Sequence, residues 1–139
     1  MRWVGLLLGL SACWPGPLER LADPGGIPIG TFQSLTPCLD GRDYVASGNV
    51  VSFGGGFGDN YNPKCLTVHV NAGVSFAGDF NTHPLRASTR GSAGNPIQAT
   101  NSGSIAPFSF TSAGFYPYYC SQHGDNSGAN MAGVIQVVP

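Results

Sequence analysis

A chain of 139 residues with 9% charged side chains, 21 glycines and 11 prolines makes one domain, long enough to bury a core of its own. A formal net charge of −1, with no basic run, excludes a nucleic-acid partner gripped through phosphate contacts. Regular apolar alternation and 11% aromatic residues exclude the weakly charged, Gly-rich kind of disorder, and short Val/Phe/Tyr/Thr segments between turn residues predict an all-β fold.

The N-terminus reads as an export device. Met1-Arg2-Trp3-Val4 leads into Gly5-Leu6-Leu7-Leu8-Gly9-Leu10, an apolar run far too short to span a bilayer. A basic residue before it and small residues after it make a secretory signal. Leu10-Ser11-Ala12-Cys13 resembles the lipobox of bacterial lipoproteins, which implies cleavage after residue 12 and a lipid on Cys13. The alternative is an ordinary cleaved signal that happens to carry a cysteine. Residues 13–30 hold Pro15, Pro17, Pro24, Pro28 and Gly25-Gly26 without a hydrophobic period, so they read as a disordered or extended tether. The folded domain is expected over 31–139. The chain is therefore expected outside the cytoplasm, at a periplasmic face or cell surface, anchored to membrane through Cys13.

Within the domain, Asn49-Val50-Val51-Ser52-Phe53 is a short apolar strand closed by Gly54-Gly55-Gly56. Residues 57–63 are Gly/Asp/Asn-rich and read as a turn. Cys65-Leu66-Thr67-Val68-His69-Val70 alternates, with Leu66, Val68 and Val70 on the apolar face and His69 on the polar one. After a turn at Asn71-Ala72-Gly73 the alternation resumes at Val74-Ser75-Phe76-Ala77 and runs out toward His83-Pro84-Leu85. Pro84 fixes its own φ, and loops at strand ends are where β scaffolds mount ligands. Residues 86–104 are Ser/Gly/Asn/Thr-rich around one apolar position, Ile97, and read as mostly irregular. Pro107–Thr111, the stretch running to Cys120, and Met131–Val138 complete the strands.

Cys120-Ser121-Gln122-His123, followed by a Gly/Asn-rich loop that ends at Met131, is the stretch that carries chemistry. Thiolate, imidazole and thioether from one short loop favour copper over hard cations, and two imidazoles, one thiolate and a weak axial Met form the blue-copper arrangement. A second imidazole must come from elsewhere, and His83 is the candidate because His69 points to the other face. Met131 read alone is more often core filler than ligand; Cys-x₂-His just before it reverses that reading. Zinc held by Cys38, Cys65, His83 and Cys120 lacks the paired cysteine spacing of structural zinc. With Cys13 assigned to lipid and Cys120 to metal, Cys38 and Cys65 remain as a disulfide pair in an oxidising compartment. Such a bridge contributes roughly 3–4 kcal/mol on a chain-entropy estimate; two buried free thiols are the alternative.

The order strand, His83, strand, Tyr119-Cys120-Ser121-Gln122-His123, then Met131 before Gly133-Val134-Ile135-Gln136-Val137, resembles the cupredoxins, in particular the plastocyanin/azurin group of small blue-copper proteins. The likeness spans about residues 49–138. It implies a Greek-key β-sandwich and one mononuclear copper per chain, with His83, Cys120 and His123 as equatorial ligands and Met131 as axial ligand. Seven residues separate His123 from Met131, more than plastocyanin-like members usually have, so an oxygen of Asn130 or Gln122, or no axial ligand, stays open. Pro84 also stands where those members often have Asn. The resemblance further implies a one-electron carrier, not an enzyme. Redox proteins would dock on an apolar patch around His123, with Pro84-Leu85, Gly124, Gly128 and Ala129 nearby and Tyr119 as a second electron route. A copper storage or delivery protein is the alternative function. A monomer is expected.

Overall fold

Apolar residues at every second position mark the longer of eight strands, and the two sheets they form share one interior. In the computed structural model, which describes residues 35–139, these are β1 (Val50–Phe53), β2 (Tyr61–Asn62), β3 (Cys65–His69), β4 (Ala72–Ala77), β5 (Leu85–Ala87), β6 (Ile105–Phe110), β7 (Gly114–Gly124) and β8 (Asn130–Val138). The expected signal at 1–12, the expected lipid site Cys13 and the expected tether to residue 30 lie outside the described residues. Among the described residues, no helix is long and apolar enough to cross a membrane.

One sheet has the order β2-β1-β4-β6 and the other β3-β8-β7-β5. From β2 to β7 each successive strand changes sheet, so the chain wraps a single core between two mixed sheets, as the expected Greek-key sandwich requires. Parallel ladders join β1 to β4 and β3 to β8, and the other ladders are antiparallel. Val51, Phe53, Val74 and Phe76 from the first sheet meet Leu66, Val68, Tyr118, Ile135 and Val137 from the second in one buried cluster. Each such side chain, fully buried, contributes about 1.5–3 kcal/mol. The ring of Tyr118 sits at the centre, edge-on to Tyr61 and Phe76 with both centroid distances 4.8 Å, the geometry aromatic quadrupoles prefer. Gly133, opposite Tyr118 in the β7–β8 ladder, has to lack a side chain: a Cβ there would overlap the Tyr118 hydroxyl and the Lys64 carbonyl.

Cys38 and Cys65 form a disulfide. Cys65 shares the outward face of β3 with Thr67 and His69, yet it is buried. Leu35 and Cys38 fold over it and, with Val134, make a second small core. Val45 then borders β3, donating to the Cys65 carbonyl and accepting from Thr67 N–H, both at 3.0 Å.

Two segments read as unstructured contain strands. Residues 57–63 include β2, whose Tyr61 is buried against Phe53 and Tyr118. A lone aromatic among polar residues has no period to read, and its burial comes from rings distant in sequence. Likewise, β5 occupies Leu85–Ala87, partly inside the stretch 86–104. Three residues are too few to show alternation, and their conformation is set by pairing with β7. The remainder of that stretch lacks regular structure beyond a bridge at Thr100.

Candidate metal centre

His83 reaches the site through a turn and a ladder. Its backbone N–H donates to the Asp79 carbonyl at 3.0 Å, while the Asp79 carboxylate accepts from Asn81 N–H, Asn81 Nδ2 and Thr82 Oγ1 at 2.8–3.0 Å. Those bonds, led by Thr82 and Asn81, hold the Asp79 carboxyl below its ordinary range. Two residues on, Leu85 pairs with Cys120, and Ser121 N–H donates to the Pro84 carbonyl at 3.0 Å. The β5–β7 ladder thus brings His83 beside the cysteine.

His123 returns to Cys120 through an irregularity in β7. Tyr119 pairs with Ala132 and Gly124 with Asn130, with a register shift between; β7 uses more residues than β8 over that span, so Ser121-Gln122-His123 bulges out of the ladder. The following loop is pinned despite its length. The Asp125 carboxylate accepts from Ser127 N–H at 2.8 Å and Ala129 N–H at 3.3 Å, and the Asn126 amide exchanges two hydrogen bonds with Thr89. Arg90 ties the Asn126 and Thr36 carbonyls together.

Three donors result. Nδ1 of His83 and Nδ1 of His123 are 3.1 Å apart, Sγ of Cys120 is 3.5 Å from the latter, and all three donor atoms lie within 4.8 Å of one another. Cys120 is fully buried and, among the described residues, is the one cysteine outside a disulfide. His83 is buried, and the His123 side chain is 30% exposed. A thiolate in an apolar interior needs a positive partner, and a metal ion between sulfur and two imidazoles supplies one. Soft sulfur with imidazole nitrogen is a donor set that copper fits.

The other expected positions fall as follows. Met131 is 1% exposed, in the same core cluster as Cys120, whereas Gln122 and Asn130 are exposed. Tyr119 is half-buried between Arg86 and Ala132. His69 is exposed, its Nδ1 2.8 Å from the Pro139 oxygen, away from the donor cluster as its parity predicts. Pro84, Leu85 and Gly128 are buried, and of the small residues expected around His123 only Gly124 and Ala129 are partly exposed.

Three residues near the donors carried no sequence signal. Gly54, at φ 69°, lets the backbone pass the His83 ring: a Cβ would stand 3.3 Å from Cδ2. Tyr61 has a buried hydroxyl without a hydrogen-bond partner among the described residues; burial pushes its pKa upward, and the proximity of Cys120 adds to this. The Asp59 carboxylate lies 4.0 Å from Nδ1 of His83 and 3.9 Å from Nε2 of His123. An acidic residue in a polar loop is indistinguishable from a solvated one until the loop is placed.

No known protein family's sequence pattern matches the chain, and no curated protein does. Solved structures do match. An oxidised mutant of amicyanin superposes with a TM-score of 0.50 at 23% identity, covering 68% of this chain and 86% of that one. A purple cupredoxin from Nitrosopumilus maritimus matches with a TM-score of 0.43 at 20% identity, over 66% of this chain and all (100%) of that one. A Cu-containing nitrite reductase from Thermus scotoductus SA-01 matches with a TM-score of 0.47 at 22% identity; 65% of this chain is covered, but only 22% of the reductase. At these identities the likeness concerns the fold. The strand order and the amicyanin superposition agree that this is a cupredoxin-like β-sandwich.

Proposed function

We propose that this chain is a type 1 copper electron-transfer protein, a one-electron carrier rather than an enzyme, exported and held at a bacterial membrane by a lipid on Cys13. The observation that carries the reading is the convergence of His83, from the turn before β5, with Cys120 and His123 of β7 into one cluster of mutually close donors. Copper, when bound, supplies a one-electron Cu(II)/Cu(I) couple. Cys120 and His83 would hold it from the buried side and His123 from the partly exposed side, with Met131 as a fourth donor. Anchoring the ligands on paired strands and a pinned loop lets the metal change charge with little protein rearrangement. His123, reaching solvent at the edge of the cluster, is the exit for the electron toward a docked redox protein, and Tyr119 is a second route. The disulfide between Cys38 and Cys65 suits an oxidising compartment.

The test is spectroscopic. Copper(II) added to the purified protein should give an intense blue thiolate-to-copper band, and Cys120→Ser should abolish it. A wild-type protein that stays colourless with excess copper would overturn the assignment. Rapid loss of Cu(I) to a chelator during redox cycling would point instead to storage or delivery.

A further inference from the structure

We infer that Asp59 is an outer charge on the metal centre, set to favour the oxidised ion and so to hold the reduction potential down. The inference rests on the copper reading above. His123 turns Nδ1 toward Cys120 and His83, which leaves its other ring nitrogen, Nε2, facing Asp59 Oδ1 at 3.9 Å; the same oxygen is 4.0 Å from Nδ1 of His83. Among the described residues, these two imidazoles are the ion-pair partners of Asp59. A separation of 3.9 Å exceeds direct hydrogen-bond length, so the carboxylate acts as a charge. It also stands outside the group of mutually close donors.

Although its side chain is 65% exposed, Asp59 is not on a loose loop. The segment starts at Gly54 against the His83 ring, turns through Gly55–Phe57 and ends at Tyr61, which is anchored in the core and paired with Phe53. Both ends are therefore fixed close to the donors. A carboxylate held about 4 Å from both imidazoles acts on the centre through its charge, weakened by the solvent around it. Because Cu(II) carries one more positive charge than Cu(I), a fixed negative charge stabilises the oxidised form more.

The experiment compares copper-loaded wild type, Asp59→Asn and Asp59→Glu in the full chain. Asp59→Asn is expected to stay blue, to shift to higher potential, and to lose about 2- to 5-fold in Cu(II) affinity, the range for an exposed charge pair, with a smaller loss for Cu(I). Asp59→Glu, which keeps the charge, should stay near wild type. Raising the ionic strength screens exposed charges and should raise the wild-type potential more than that of Asp59→Asn. Equal potentials for wild type and Asp59→Asn at low salt would overturn the inference while leaving the blue centre intact. Loss of the blue band in Asp59→Asn would overturn it differently, by making the carboxylate a ligand. A wild type that takes up no copper defeats the copper reading itself, and this inference with it.

Discussion

Leu85 stands opposite Cys120 in the β5–β7 ladder, and both side chains are fully buried in the same cluster. This pairing, reinforced by Ser121 N–H donating to the Pro84 carbonyl, ties the strand end carrying His83 to the strand carrying the cysteine.

Leu85→Ala removes packing from directly beside the sulfur. It is expected to lower stability by about 3 kcal/mol through lost burial and an incompletely collapsed cavity. The variant should also bind copper more weakly than wild type, because the ladder that positions His83 loosens. Denaturant unfolding of the metal-free protein and a copper titration check the two effects separately. Wild-type copper affinity in a destabilised variant would show that β5 does not position His83.

Met131→Leu nearly conserves volume in the core, so stability should change by less than about 1.5 kcal/mol. The blue colour should persist and the reduction potential should rise, because a donor near Cu(II) is lost. A spectrum and potential identical to wild type would remove Met131 from the ligand set.

Two buried tyrosines should respond to loss of the hydroxyl with opposite signs. The Tyr118 hydroxyl donates to the Lys64 carbonyl at 3.3 Å, so Tyr118→Phe is expected to cost about 1 kcal/mol. The Tyr61 hydroxyl is buried without a partner among the described residues, so Tyr61→Phe should be neutral or stabilising by up to about 1 kcal/mol, since a desolvated donor is removed. Thermal unfolding of the two variants side by side decides this. A large loss in Tyr61→Phe would contradict it.

Acid should weaken the His83 turn through Asp79. Hydrogen bonds from Thr82 and Asn81 depress the Asp79 pKa in the folded protein. A depressed carboxyl contributes stability that is fully present above its unfolded value, about 3.9, and is lost as pH falls through the lower folded value. Below about pH 4, metal-free wild type should therefore lose stability more steeply than Asp79→Asn, which has no charge to lose. Parallel pH dependences for the two proteins would exclude this contribution.

Several of these groups are legible from local order alone. The alternation of Leu66, Val68 and Val70 fixes an inward face and turns His69 outward, because side chains along a strand alternate with a period of two. The spacing of Cys120 and His123, with Met131 at the next strand start, names candidate donors before any fold is known. Removing Cys13 and Cys120 from the cysteine inventory leaves the pair that the structure joins.

What the sequence by itself determined, then, is which atoms could bind a soft metal and which faces of the longer strands are buried. Tertiary structure alone decided that β5 lies beside β7, that Tyr61 closes the core beneath the donors, and that Asp59 comes to rest against both imidazoles. A period needs several residues to express itself, and strands of two or three have none. Their places are set by hydrogen-bond register and packing with segments distant along the chain, and the charge of a loop residue acquires meaning only from the neighbours that folding provides.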